Sequence, residues 1–119
     1  MAAIAYGHDK SRTTPFTAAD WSNLEGRGVN AYVESKTRAE RRAWEIAGAA
    51  WRKGDLVSIN PSGIFGPLLD ADPGTSATLV QRLMNGSVPA TPRIPVVSID
   101  VRDVAAAHAV TQRTLGPRP

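Results

Sequence analysis

From Asn30 to Lys53 small and apolar side chains return every three or four positions: Tyr32, Ser35, Ala39, Ala43, Ile46 and Ala50 fall on one stripe. That period predicts an amphipathic helix burying this stripe. Asn30 can cap its start by accepting a first-turn amide, and Gly54 can end it. Two short apolar runs carry the strand signal. Leu56-Val57-Ser58-Ile59-Asn60 is stopped by Pro61, and Ala2 to Tyr6 reads as the end of a buried strand; the two are expected to pair in parallel, with one sheet edge open. Between them Gly7 to Val29 is polar and rich in turn formers, a long loop of the kind that often lines a site. Beyond the Gly/Pro-rich connection from Ser62 to Gly74, Thr75 or Ser76 can cap a helix whose Leu79, Val80, Leu83 and Met84 face inward, with Gly86 ending it. Val96 to Ile99 predicts another strand. Asp100 is the expected cap of a last helix from Val101 to about Arg113, with Asp103 in its first turn on the favourable side of the helix dipole.

Strands alternating with helices indicate an α/β domain with parallel pairing. The predicted sheet is nevertheless small, since two or three short strands cannot complete a doubly wound core covered on both faces. No G-x-G-x-x-G or G-x-x-G-x-x-G phosphate loop occurs in the chain. Gly63 and Gly66 follow a predicted strand, but a proline comes next where a helix would have to open, so they read as a tight turn.

Composition narrows the class further. The 119 residues, 42% hydrophobic and 21% charged, fit one globular domain. No apolar run approaches the ~20 residues of a membrane helix, and no basic segment followed by an apolar run opens the chain. Without cysteine there is no disulfide, no thiolate chemistry and no cysteine-zinc site, and no metal centre is expected. These absences make the cytoplasm the default location. The net charge of +3 invites a nucleic-acid reading, but Arg38, Arg41 and Arg42 are interleaved with Glu34, Glu40 and Glu45. The spacings pair Glu34 with Arg38 and Arg41 with Glu45, which describes a solvated helix face.

The segment richest in chemistry is Ala31-Tyr32-Val33-Glu34-Ser35-Lys36. Tyr32 and Lys36 stand one helical turn apart and share a face. An ammonium beside a phenol favours the phenolate and brings such a group closer to the pH at which it can exchange a proton with a carbonyl or alcohol oxygen. Taken alone, the spacing also fits a core-edge ring beside a surface charge. His8 and His108 read as structural, Trp44 and Trp51 as packing residues on one helix face, Asp103 as a structural cap, and Arg102 as either a surface or a ligand-side arginine.

Four motifs in order add to this. Tyr32-Val-Glu-Ser-Lys36 continuing to Trp44, Asn60-Pro-Ser-Gly-Ile-Phe-Gly-Pro67, the stretch from Thr75 through Arg93, and Asp100-Val-Arg-Asp-Val-Ala105 with His108 together resemble the extended short-chain dehydrogenase/reductases (the NAD-dependent epimerase/dehydratase group), most closely the dihydroflavonol-4-reductase-like and aldehyde-reductase-like enzymes. The resemblance covers residues 2 to 111 and implies a partial NAD(P)-binding Rossmann-like fold: the C-terminal half of a doubly wound parallel sheet plus a substrate-side segment. Residues 1–119 would form one partial domain, with the active-site loop, Tyr-Lys helix and following strand in 1–60 and the nicotinamide-side loop and substrate-side segment in 61–119.

The implied activity is interconversion of a carbonyl and an alcohol by hydride transfer with NADP(H) or NAD(H). Tyr32 would be the acid/base. Lys36 would tune it and bond the nicotinamide ribose, while Pro61, Ser62 and Ile64 would border the nicotinamide. The family's serine or threonine that polarises the substrate carbonyl is expected to lie outside these residues, and Ser11, Thr13, Thr14 and Ser22 sit on the wrong loop to replace it. The glycine-rich half is absent too, so a fragment inactive alone is expected. A truncated, non-enzymatic product or an interaction module keeping the remnant of the fold is the alternative. The complete enzyme would take a small carbonyl substrate and bind neither nucleic acid nor membrane. A homo-oligomer or partner chain is expected to cover the open sheet edge.

Overall fold

In the computed structural model, residues 2–49, 56–69, 71–88 and 97–114 are described, and they contain three helices and a two-stranded parallel sheet, an α/β arrangement. The chain divides between Asn60 and Pro61 into two compact units. Among the described residues no helix is long and apolar enough to cross a membrane.

The first unit is built around α1, Ala31–Ala49. Asn30 starts it as its sequence foretells: its Oδ1 accepts the Val33 amide at 3.0 Å. Glu34 pairs with Arg38 at 2.8 Å, one turn on. Glu45 is met by Arg42 at 3.0 Å rather than by Arg41, whose guanidinium lies over the Trp21 ring at 5.3 Å. These exposed pairs contribute little to stability, at most ~1 kcal/mol each. The expected end of the helix at Lys53 and Gly54 falls outside the described residues.

The buried flank of α1 differs from the expected stripe. Val33 and Thr37 are buried, whereas Tyr32 is 63% exposed and Ile46 is exposed as well. The reason lies in what packs against the helix. Ala2 to Tyr6 is not a strand; it is a run of turns knotted to the end of the long loop. Ser22 donates its amide to the Ala3 carbonyl at 2.8 Å, and Asn23 donates to the Tyr6 carbonyl at 2.9 Å. Gly7, with φ at +75°, lets the two segments touch: a Cβ there would stand 1.9 Å from the Asn23 carbonyl oxygen. Ala3 and Ser22 are buried in this knot, which presents a surface of irregular outline rather than a periodic strand.

The loop from Gly7 to Val29 has no regular structure, as expected, yet it is internally bonded. The Arg12 guanidinium spans both oxygens of Asp20 at 2.8 and 3.1 Å, donates to the Thr14 and Pro15 carbonyls, and lies 4.3 Å over the Phe16 ring. Phe16 in turn stacks at 4.7 Å on His8. The Arg12 fork, with the Thr17 amide behind it, holds the Asp20 carboxyl well below the usual carboxylate range. Leu56 to Asn60 takes no part in a sheet, because a strand exists only with a neighbour to fill its ladder and none pairs with it among the described residues. Asn60 instead donates its side-chain amide to Glu40 of α1 at 3.0 Å.

In the second unit β1, Gly63–Phe65, pairs in parallel with β2, Ser98–Asp100, with Ile64 opposite Ile99. A strand thus occupies the place where Gly63 and Gly66 predict a turn. Gly66 has its own requirement: a Cβ there would lie 2.5 Å from a Val101 methyl carbon, so the chain leaves β1 against the start of the last helix. Between the strands lies α2, Gly74–Met84. It starts just before the expected cap, and Asp72 accepts the Gly74 amide at 2.9 Å. It ends at Asn85 and Gly86, the latter at φ +74°, as predicted. No described residue of α2 is buried, so Leu79, Val80, Leu83 and Met84 do not form the inward face foreseen. Two strands of three residues offer too little surface to cover a helix face; Val80 and Met84 instead line an open groove with Ile64, Phe65 and Leu68.

The last helix, α3, is Val101–Thr114. Asp100 caps it through the Arg102 amide at 2.8 Å and also receives the Arg102 guanidinium at 2.6 Å. Those two contacts, the guanidinium first, lower the Asp100 carboxyl from 3.8 to about 2. A depressed carboxyl contributes its stability in full above the unfolded value and loses it as pH falls through the folded one. Helicity of α3 is therefore expected to fall between about pH 3.8 and about pH 2. Asp100→Asn keeps a good cap without the charge and should flatten that component in a circular-dichroism titration; an unaltered acid limb would refute it.

Candidate functional site

Tyr32 and Lys36 lie on the first two turns of α1, brought to one flank by the helical repeat. The Lys36 ammonium stands 5.7 Å from the centroid of the Tyr32 ring. Both side chains are exposed, and among the described residues Lys36 makes no ion pair. Their direction follows from their neighbours. Val33 and Thr37 come one residue later, about 100° further round the axis, and both are buried; this leaves the Tyr-Lys flank facing outward. Ser35, between them, donates its hydroxyl to the Tyr32 carbonyl at 2.8 Å and so bonds backbone rather than phenol.

The second unit holds the other three expected residues as a contiguous group. Pro61 and Ser62 are half-buried immediately before β1, and Ile64 is at its centre with its side chain exposed. The structure thus brings Tyr32 together with Lys36 in one unit, and Pro61, Ser62 and Ile64 together in the other.

The remaining candidates resolve by their bonds. A ring nitrogen of His8 donates to the Ile4 carbonyl at 2.8 Å, and one of His108 donates to the Val104 carbonyl at 2.8 Å. Both are structural. Arg102 is committed to Asp100, and Asp103 lies in the first turn of α3 without capping it. Trp44 lines a hollow with Phe16 and Trp21, while Trp51 lies outside the described residues. Ser22 cannot serve as a carbonyl-polarising hydroxyl in this arrangement. It is 1% exposed, donates to the Ala2 carbonyl at 2.7 Å and accepts the Tyr6 amide at 3.0 Å.

Ser22 and Thr37 are the polar residues whose burial sequence reading missed. For Thr37 a signal existed: Val33, Thr37, Glu40 and Trp44 recur at helical steps, and a threonine inside a helix can bond its own preceding turn, as Thr37 does to the Val33 carbonyl at 2.8 Å. For Ser22, inside an irregular loop, no spacing marks it.

The Tyr-Lys flank fits the nicotinamide-ribose end of a dinucleotide. It offers an exposed ammonium without an acidic partner among the described residues, beside a phenol, and these are donors suited to ribose hydroxyls and a carbonyl oxygen.

No protein-family model matches the chain, and no solved structure does. Curated proteins do. Tetraketide alpha-pyrone reductase 2 of Arabidopsis thaliana is 34% identical across 91% of this chain. The NADPH-dependent methylglyoxal reductase of Saccharomyces cerevisiae is 37% identical across 97% of it, and a cinnamoyl-CoA reductase of Medicago truncatula is 39% identical across 91%. The matches cover 34%, 38% and 33% of those proteins, so the chain spans about a third of their length. With the motif order, the parallel α/β pairing and these relatives in hand, the chain belongs to the extended short-chain dehydrogenase/reductase family, the NAD-dependent epimerase/dehydratase group, as a part of its Rossmann-type fold.

Proposed function

We propose that the whole protein carrying this chain is an NADP(H)- or NAD(H)-dependent reductase of the dihydroflavonol-4-reductase-like type, and that Tyr32 is its acid/base. The observation that carries this reading is the exposed Tyr32-Lys36 pair on one flank of α1. The nicotinamide, when bound, supplies hydride to the substrate carbonyl carbon. The Tyr32 hydroxyl donates its proton to the carbonyl oxygen as the alcohol forms, and takes it back in the reverse direction. The Lys36 ammonium, 5.7 Å from the ring centroid, bonds the ribose hydroxyls in this reading. Pro61, Ser62 and Ile64 border the nicotinamide in this reading, through backbone groups and the Ile64 side chain. One relative named as an NADPH-dependent methylglyoxal reductase, beside others named as a tetraketide alpha-pyrone reductase and a cinnamoyl-CoA reductase, supports a small carbonyl compound as substrate. The two units are parts of one domain in this proposal, and another strand or chain covers the outer edges of the β1–β2 pair, which is too small to stand alone.

Residues 1–119 encode no glycine-rich turn for the pyrophosphate, so in isolation they should neither bind NADPH tightly nor reduce carbonyls. Calorimetry checks both halves of the proposal. The whole protein should bind NADPH one to one, Lys36→Met should weaken that binding and slow turnover together, and the isolated 119 residues should show no saturable heat. Unchanged affinity and turnover in Lys36→Met would remove Lys36 from the site; micromolar binding by the isolated chain would reveal a phosphate site elsewhere in it.

A further inference from the structure

The Tyr32-Lys36 flank is aimed by contacts it does not itself make. Those contacts meet at one oxygen, the Ala2 carbonyl. Ser22 Oγ donates to it at 2.7 Å while accepting the Tyr6 amide at 3.0 Å. Thr37 Oγ1 stands 3.3 Å from the same oxygen and 2.8 Å from the Val33 carbonyl. A hydroxyl has one proton, so Thr37 serves one of these carbonyls at a time. Both side chains are buried, with Val33 and Ala3 as the apolar part of the same cluster.

We propose that Ser22 and Thr37 are positioning residues for the Tyr32 acid: their hydroxyls, gathered around the Ala2 carbonyl, fix the rotation of α1 about its axis and with it the direction of the phenol and the ammonium. The proposal rests on the reading of Tyr32 given above. The physical case turns on direction. Apolar contacts are indifferent to small rolls of a helix, whereas hydrogen bonds weaken steeply when bent. A buried hydroxyl is costly unless its bonds are made, and Ser22, from the loop side of the knot, makes both a donor and an acceptor bond to the backbone of the Ala2 to Tyr6 segment. Thr37 follows Lys36 directly, so a roll of α1 that carries Thr37 away from Ala2 carries Lys36 and Tyr32 with it. A displacement of about 1 Å at the reacting oxygen is enough to cost on the order of a hundredfold in rate.

The test uses the whole protein with carbon-13 at the ζ position of tyrosine, the Tyr32 resonance being assigned by its loss in Tyr32→Phe. In the cofactor-free protein Ser22→Ala and Thr37→Val should each shift or broaden that resonance. In the assay each should lower kcat by about tenfold or more while KM for the carbonyl substrate changes by less than about twofold. Thr37→Ser, which keeps the hydroxyl, should restore both readouts. The double variant should do little more than the stronger single one, because both act at one carbonyl. Variants that melt earlier but keep the Tyr32 resonance and kcat would make these hydroxyls ordinary core groups and overturn the proposal. Should Ser22→Ala fail to fold, the near-isosteric Thr37→Val and its serine counterpart decide the matter. A Tyr32→Phe protein with an undiminished rate would defeat the acid reading instead, while the cofactor-free resonance still judges whether the hydroxyls set the helix rotation.

Discussion

Tyr32→Phe is expected to lower turnover of the whole protein by at least ~100-fold, the low end for loss of a general acid, with the melting temperature unchanged. The substitution removes one oxygen and leaves the ring. Tyr32 is 63% exposed, and the hydrogen bond it receives from Ser35 goes to its backbone carbonyl, so no buried group loses a partner. Rate and stability should therefore part company. Steady-state kinetics with a carbonyl substrate and NADPH, beside a thermal melt, read the two quantities separately. Near-normal turnover in Tyr32→Phe would mean that another group donates the proton.

Gly7→Ala should produce the opposite signature, a large loss of stability. Its φ of +75° is uncomfortable for alanine, and the new methyl would lie 1.9 Å from the Asn23 carbonyl oxygen, which is backbone and cannot swing aside. Gly26 meets Gly7 across the same contact, with a hypothetical Cβ 1.9 Å from the Gly7 carbonyl oxygen. Strain of about 1–3 kcal/mol, with the knot's hydrogen bonds near 1 kcal/mol apiece at risk, puts the cost at roughly 3 kcal/mol. That corresponds to a fall in melting temperature on the order of 10 °C. A melt indistinguishable from that of the unaltered protein would show that the segment from Ala2 to Tyr6 can part from Asn23 at little cost.

The elements whose signals are local were legible. Asn30 and Asp100 cap helices because an amide in the first turn needs an acceptor, and Gly86 ends α2 because it can take a positive φ. The Tyr32-Lys36 spacing was legible for the same reason, since four residues on a helix always share a flank. What depended on a partner was not. The small residues Ser35, Ala39 and Ala43 resemble a core stripe, but the knot facing α1 has no period of its own and selects Val33 and Thr37 instead. Leu56 to Asn60 has strand composition without a ladder among the described residues, while Gly63 to Phe65, glycine-led and followed by Gly66 and Pro67, acquires one from Ser98 to Asp100. Leu79, Val80, Leu83 and Met84 have the spacing of a buried face and no surface within their unit large enough to bury it. Family motifs indicated which residues to watch; helix rotation and strand pairing required the fold.

The guanidinium of Arg12 ties its loop in a way that has a consequence for how that loop can change. It joins Asp20, the Thr14 and Pro15 carbonyls and the Phe16 ring through one rigid planar group. A lysine in its place, with a point-like ammonium on a flexible stem, could engage one or two of these partners but not the set. These four partners therefore lose their common tie together when the guanidinium is lost. Thr17, whose amide and hydroxyl reach Asp20 at 2.7 and 3.1 Å, keeps its own hold on that carboxylate, so the stretch from Thr14 to Phe16 is the part of the loop that a single codon frees.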